Sequence, residues 1–303
     1  MPVGLTLGAA FRPEMAFAHQ NATFSENYRN LYLNQVGQIT DDWAMKMEEI
    51  WTGPDEFNFT YADQTVAFAH ANGLKVRGHT LVWELLVPAW MKKGQFADAQ
   101  IDKLVQTYVH NVVRHFKDKF PGTVVCWDVI NEPVDNDGKS LRKEFWFQHL
   151  GENYLEKVLR WTHEADPDAL LFINEYGIEE PGPKQDYLFE LARTLKRKGV
   201  PLHGIGFQCH FSIHEEFQRE NLEQALDRFI GAGLNVQVTE LDVRINDDKK
   251  GITPEKLKTQ ARIFREVAEV LPCALSAMFL ADHVGAHRRG KLHTERQVAE
   301  TEN

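Results

Sequence analysis

Residues 235–242 read Asn-Val-Gln-Val-Thr-Glu-Leu-Asp. Side chains alternate along a β-strand, so Val236, Val238 and Glu240 are expected on one face, which the valines mark as buried. Glu240 then points inward at the C-terminal end of an apolar strand. A carboxylate is costly inside a packed core but not where that core opens to water, and in a βα barrel the C-terminal rim of the strands is that opening. A structural ion pair at the rim would read the same way, so this stretch fixes a place and leaves the role open.

The same design recurs in Val124-Val-Cys-Trp-Asp-Val-Ile-Asn131-Glu132-Pro133, where an apolar strand ends in a carboxamide and a carboxylate and Pro133 stops the ladder. Strict alternation puts Asn131 and Glu132 on opposite faces, so both serve one cleft only if the backbone bends there. Other short β-rich runs lie near Leu5–Ala10, Asn34–Ile39, Lys75–Leu81, Leu170–Asn174, Gly204–Gln208 and Leu275–Phe279. Helical spacing of apolar residues fills Ala62–Ala71, Ile101–Phe116, Tyr154–Ala165, Gln185–Lys198, Leu222–Ala232 and Pro254–Val270. Asn72-Gly73, Lys198-Gly199 and Gly231-Ala232-Gly233 offer left-handed caps just before a strand begins. Eight strands alternating with helices predict an α/β fold, a single (β/α)8 TIM barrel with residues 1–303 as one catalytic domain. The end of strand eight is atypical, reading Phe279-Leu-Ala-Asp282-His283, and the polar segment Leu292–Asn303 has only Val298 as its main apolar residue. An eighth covering helix should carry an apolar stripe. Either that helix is short and weakly docked, or another chain covers the wall.

The balance of 34 Lys+Arg against 44 Asp+Glu gives a net charge of −10, which repels a phosphate backbone or an anionic membrane face. No nucleic acid and no membrane partner is expected, and a monomer is. Met1–His19 shows no export signal and no apolar run is long enough to span a bilayer. Cys126, Cys209 and Cys273 are odd in number and far apart, which indicates neither a disulfide framework nor a thiolate zinc site.

Glu132 and Glu240 stand 108 positions apart, three units of about 36 residues, as strands four and seven of an eight-stranded ring would. Two carboxylates facing across a barrel mouth suit glycoside hydrolysis, at about 5–5.5 Å for a retaining enzyme or about 6.5–9.5 Å for an inverting one. Polar groups gather at other strand ends: Arg77 and His79, Gln208 and His210, then Asn174, Glu175 and Tyr176. Such groups hydrogen-bond sugar hydroxyls, and Trp83 offers a face for a pyranose ring. The pairs His210/His214 and His283/His287 raise a metal reading, but no helical His-Glu-x-x-His or Cys pairing accompanies them, so no metal and no cofactor is expected.

These segments carry a resemblance. VRGHTLVW at 76–83, WDVINE at 127–132, INEY at 173–176, GIGFQCH at 204–210 and TELD at 239–242 resemble glycoside hydrolase family 10, the endo-β-1,4-xylanases, in order and over nearly the whole chain. The resemblance implies a retaining enzyme that cleaves xylan internally, with Glu132 as general acid/base and Glu240 as nucleophile. It implies Asn131 on the sugar 2-hydroxyl, His210 holding the nucleophile, and His79, Trp83 and Gln208 around the cleaved sugar. Lys46 would meet the next sugar on the non-reducing side, and Tyr176 would border the leaving group. Secretion follows from the resemblance alone. The acid must keep its proton until it is used, while Glu240 stays ionised.

Three departures from the family pattern stand out. Asp41-Asp42-Trp43-Ala44-Met45-Lys46-Met47 occupies a place where Pro-Glu-Asn-Glu-Met-Lys-Trp is common, Glu84 replaces a usual His, and strand eight lacks its usual Trp-Gly. Hydrogen bonding at the second glycone subsite is therefore expected to be weakened or redirected, and the stacking wall over the cleaved sugar to be missing or rebuilt. A related barrel glycosidase on another β-linked polymer, or a sugar-binding barrel with weakened catalysis, are the alternatives.

Overall fold

The computed structural model describes residues 6–271 and the backbone of 276–279. Eight parallel strands form a closed ring: β1 (Thr6–Phe11), β2 (Gln38–Asp41), β3 (Lys75–Trp83), β4 (Val124–Asn131), β5 (Leu170–Glu175), β6 (Gly204–Phe207), β7 (Asn235–Arg244) and β8 (Ser276–Phe279). Each pairs with its sequence neighbours, and β8 closes the barrel by pairing with both β7 and β1. Among the described residues seven long helices cover it: α1 (Ala22–Gln35), α2 (Thr60–Ala71), α3 (Asp98–Lys119), α4 (Tyr154–Ala165), α5 (Pro183–Arg197), α6 (Arg219–Gly231) and α7 (Pro254–Val270). The expected (β/α)8 architecture is present. Expectations for Asp282, His283 and the tail Leu292–Asn303 lie outside the described residues.

Local sequence explains the alternation. In α4, Leu155, Val158, Leu159 and Thr162 recur at three- and four-residue spacing and are buried, each large apolar side chain contributing about 1.5–3 kcal/mol. Asn21 caps α1 by accepting from Phe24 N at 3.1 Å, and Thr253 caps α7. Gly73, Gly199 and Gly233 take the left-handed conformation at the ends of α2, α5 and α6, as the punctuation predicts.

Strand bounds differ from expectation most at β2, β3 and β7. Asn34 and Gln35 are the last residues of α1, and β2 begins at Gln38 rather than Asn34, because the Asn21-capped helix continues until Gly37 turns the chain. Strands β3 and β7 run further than expected, to Trp83 and Arg244, and so carry the rim residues on regular backbone.

The barrel interior is partly polar. Arg77 is 1% exposed, pairs bidentately with Asp128 and lies 4.6 Å over the Phe172 ring. It also donates to Gln237, on a strand that is not its neighbour, so both side chains lie inside the ring. Gly206 makes room for this layer, since a Cβ there would sit 2.3 Å from Asn174 Oδ1 and 3.0 Å from an Arg77 nitrogen.

Candidate active site

Alternation alone does not carry Glu240 to the site. Gln237 and Thr239 point into the barrel, Thr239 donating to Asn174 Oδ1 at 2.6 Å across the intervening β6. Val236 and Val238 therefore face the surrounding helices, and the expectation that they share a face with Glu240 fails. Between Val238 and Leu241 the register against β8 shifts, and this irregularity lets Glu240 turn inward beside Thr239.

Glu132 arrives by a different device. A register shift between Asp128 and Ile130 turns the end of β4, and Glu132 then adopts φ +56°, a left-handed conformation unusual for a side chain with a Cβ. Its N–H donates to Asn174 O at 2.8 Å and its carbonyl accepts from Arg142 Nε at 2.9 Å. This is the bend that alternation required for Asn131 and Glu132 to share a cleft. Cys209, also left-handed at φ +58°, lies between Gln208 and His210.

The two carboxylates have contrasting partners. Among the described residues the Glu132 carboxylate accepts from neutral donors: Trp83 Nε1 at 3.1 Å, Asn131 Nδ2 at 3.1 Å and Gln208 Nε2 at 3.0 Å. Glu240 accepts from Asn174 Nδ2 at 2.7 Å and lies 3.3 Å from His210 Nε2. His210 Nδ1 is 2.7 Å from Asp242. Burial lowers proton affinity at His210, but its hydrogen bonds and charge contacts with Asp242 and Glu240 outweigh this and raise it to about 10. Burial pushes Glu240 up, yet the His210 hydrogen bond, the His79 and His210 charges and the Asn174 amide bring it down to about 2. Asn174 Nδ2 also donates to Asn131 Oδ1 at 2.8 Å, so two amides join the carboxylates.

The other expected residues gather around this pair. His79 Nδ1 lies 2.9 Å from Asp128 Oδ2. Lys46 Nζ is 5.4 Å from the Trp83 ring centroid. Tyr176 lines a cavity of about 830 Å³ with Glu132, Gln208, His210, Glu215 and Arg244. Trp83 and Gln208, expected to surround the sugar, both donate to Glu132.

Two of the departures from the family pattern fall within the described residues, and their polar groups are committed to neighbouring protein groups. Asp41 is fully buried, accepts from the Trp43 and Ala44 N–H groups and the Thr65 hydroxyl, and is pushed up to about 6 by burial. Asp42 pairs with Arg12 at 2.8 Å, and Trp43 donates to Glu14 at 3.0 Å. Glu84 accepts from Phe145 N at 2.8 Å and Trp146 N at 3.3 Å, tying down the short helix Phe145–Leu150.

Three residues of the site were not singled out from sequence, whereas Asn174 is among the polar groups expected at the strand ends. Asp242 follows a strand-end pattern that could have found it, since it shares parity with Glu240. Asp128 sits within a motif whose chemistry drew attention to its last two residues. Arg142 lies in a loop without periodic signal, and only the fold brings it to Glu132.

Among the described residues no helix is long and apolar enough to cross a membrane, and no group of three or more His, Cys, Asp or Glu is placed to hold a metal.

Residues 5–276 match the sequence profile of Glycosyl hydrolase family 10. The chain is 39% identical over 252 residues to the Beta-1,4-xylanase of Dictyoglomus thermophilum, covering 81% of this chain and 69% of that protein. It is 36% identical over 255 residues to Endo-1,4-beta-xylanase A of Thermoanaerobacterium saccharolyticum, but spans only 21% of that protein's length. In structure it is similar to xylanase 10B from Thermotoga petrophila RKU-1, solved with xylobiose, at a TM-score of 0.84 and 33% identity, covering 91% of this chain and 82% of that one.

Proposed function

The chain belongs to glycosyl hydrolase family 10, and from that premise we propose that it is a retaining endo-1,4-β-xylanase, its barrel a single catalytic domain. The observation that carries this reading is the unequal treatment of two glutamates at the ends of β4 and β7. Glu240, beside a cationic imidazole and an amide, is held ionised and ready to attack. Glu132, among neutral donors and next to the open cavity, supplies the proton.

Xylan lies along the rim with Lys46 on the non-reducing side and Tyr176 on the leaving-group side. A Glu240 oxygen attacks the anomeric carbon as the glycosidic C–O bond breaks, and Glu132 gives its proton to the departing oxygen. The Glu240 charge is consumed in the glycosyl ester, which makes Glu132 the base for the second step. Glu132 then takes a proton from water, the water oxygen attacks the same carbon, and the ester bond returns its electron pair to Glu240. Asn131 meets the 2-hydroxyl, His210 holds the nucleophile, and His79, Trp83 and Gln208 border the cleaved sugar.

Hydrolysis of β-1,4-xylan, mixed-linkage glucan, mannan and cellulose, followed by product profiling and proton NMR, tests the reading. Xylan should be the preferred polymer, with internal cuts and β-anomer formed first. Initial α-anomer would exclude retention, and preference for another polymer would assign the barrel to a different substrate.

A further inference from the structure

Behind Glu132 lies a charged pair that the two-step reaction does not use. Glu175, at the end of β5, is fully buried and spends both carboxylate oxygens on the backbone of the rim. Oε2 accepts from Val134 N at 3.0 Å, two residues past Glu132, and Oε1 accepts from Tyr176 N at 3.1 Å. Lys184, in the first turn of α5, places Nζ 2.8 Å from Glu175 Oε1 and 3.3 Å from the centroid of the Tyr176 ring. Arg142 closes the unit, donating to Glu132 O at 2.9 Å and to the Tyr176 hydroxyl at 2.7 Å.

We infer that the Glu175–Lys184 pair is a positioning unit for the acid/base, fixing the strained turn at Glu132 and the Tyr176 ring as one piece so that the proton is aimed at the leaving oxygen. The inference rests on Glu132 being the acid. The left-handed turn at Glu132 needs outside support, and the next residue, Pro133, has no N–H to give it. Support comes instead from Asn174 O on the Glu132 N–H, Arg142 on its carbonyl and Glu175 on the Val134 N–H. Lys184 keeps Glu175 an acceptor. Burial pushes Glu175 up to about 7 even against the Lys184 charge, so losing the ammonium favours the neutral acid. A neutral acid carries an O–H where Val134 and Tyr176 already present N–H donors. The loop after Glu132 is also seated on Lys184 directly, since a Cβ on Gly138 would fall 2.3 Å from the Lys184 backbone nitrogen.

A misplaced acid has a signature that a merely loosened fold lacks: it slows substrates in proportion to how much their leaving group needs a proton. Lys184→Met, Lys184→Arg and Gly138→Ala should be assayed on phenyl and 2,4-dinitrophenyl β-xylobioside, with active sites counted by the burst from 2,4-dinitrophenyl 2-deoxy-2-fluoro-β-xylobioside. Per active site, Lys184→Met should lose roughly tenfold in kcat/KM on the phenyl substrate and less than about twofold on the dinitrophenyl one, a fraction of what general acid catalysis supplies. Lys184→Arg should restore most of this, and Gly138→Ala should reproduce the loss by displacing the loop. No loss, an equal loss on both substrates, or a larger loss on the dinitrophenyl compound overturns the inference. Glu132→Ala, run alongside, separates the two readings: if that variant shows no leaving-group dependence, the acid assignment itself fails.

Discussion

Glu132 and Glu240 have the same side chain at the same end of one barrel, yet the fold gives them opposite surroundings. Glu240 lies on a strand, beside His210 and the Asn174 amide. Glu132 lies just past a strand, on left-handed backbone, with an indole and two amides as donors. Setting an imidazole cation against the carboxylate of one and neutral N–H donors against the carboxylate of the other is how a fold separates a permanent anion from a group that exchanges a proton. Position on the rim brings substrate; the neighbours assign the work.

The largest test of this contrast removes each carboxylate. Glu240→Ala should lose about 10⁵-fold or more in kcat on every aryl xylobioside, since no bond to the anomeric carbon forms. Glu132→Ala should lose about 10²–10⁴-fold in kcat/KM on poor leaving groups but little in kcat/KM on dinitrophenyl, where the missing base slows the second step and lowers kcat until azide restores it and yields the β-azide. Matching leaving-group dependence in the two variants would break the contrast.

A smaller effect sharpens it. His210→Asn removes the cation beside Glu240, and burial then favours the neutral acid. Catalysis needs Glu240 ionised, so the acid limb of kcat/KM, set in the wild type by a group held near 2, should move up by at least about one unit. Stability carries two signs. Depressed Glu240 stabilises the fold above its ordinary value and loses that contribution as pH falls from 4.5 towards 2. Raised His210 stabilises below 6.5 and loses that contribution as pH rises towards 10. Melting scans should therefore show the wild-type advantage over His210→Asn greatest between these limits; a pH-independent difference would contradict the charge assignment.

The smallest effect lies outside the pair. Glu84→Ala removes two hydrogen bonds to the start of Phe145–Leu150 and should cost about 1–2 kcal/mol. Thermal unfolding should shift down by a few degrees with kcat nearly unchanged. A large fall in kcat would mean that Glu84 reaches the substrate after all.

Much of this was legible in the chain. Strand spacing, the left-handed caps at Gly73, Gly199 and Gly233, and the motifs ending in Glu132 and Glu240 place the barrel and its rim. The route to Glu240 was misread. Alternation put Val236 and Val238 inside with it, whereas Gln237 and Thr239 occupy the interior and a shift in register turns Glu240 inward. A period of two does not announce where it is interrupted, because a bulge depends on the partner strand as much as on the strand that carries it. Glu84 and Asp41-Asp42-Trp43 likewise gave no sign that their polar groups were committed to Phe145, Trp146, Thr65, Arg12 and Glu14.

The architecture and the chemical inventory of the rim follow from the order of the amino acids, because hydrophobic periodicity and backbone punctuation are local and survive in one dimension. Folding in three dimensions settles which glutamate meets a cation, which turn is strained and which buried lysine stands behind Glu132. Those outcomes depend on distances between residues such as Glu132 and Lys184, far apart along the chain, and electrostatics and packing respond to separation in space.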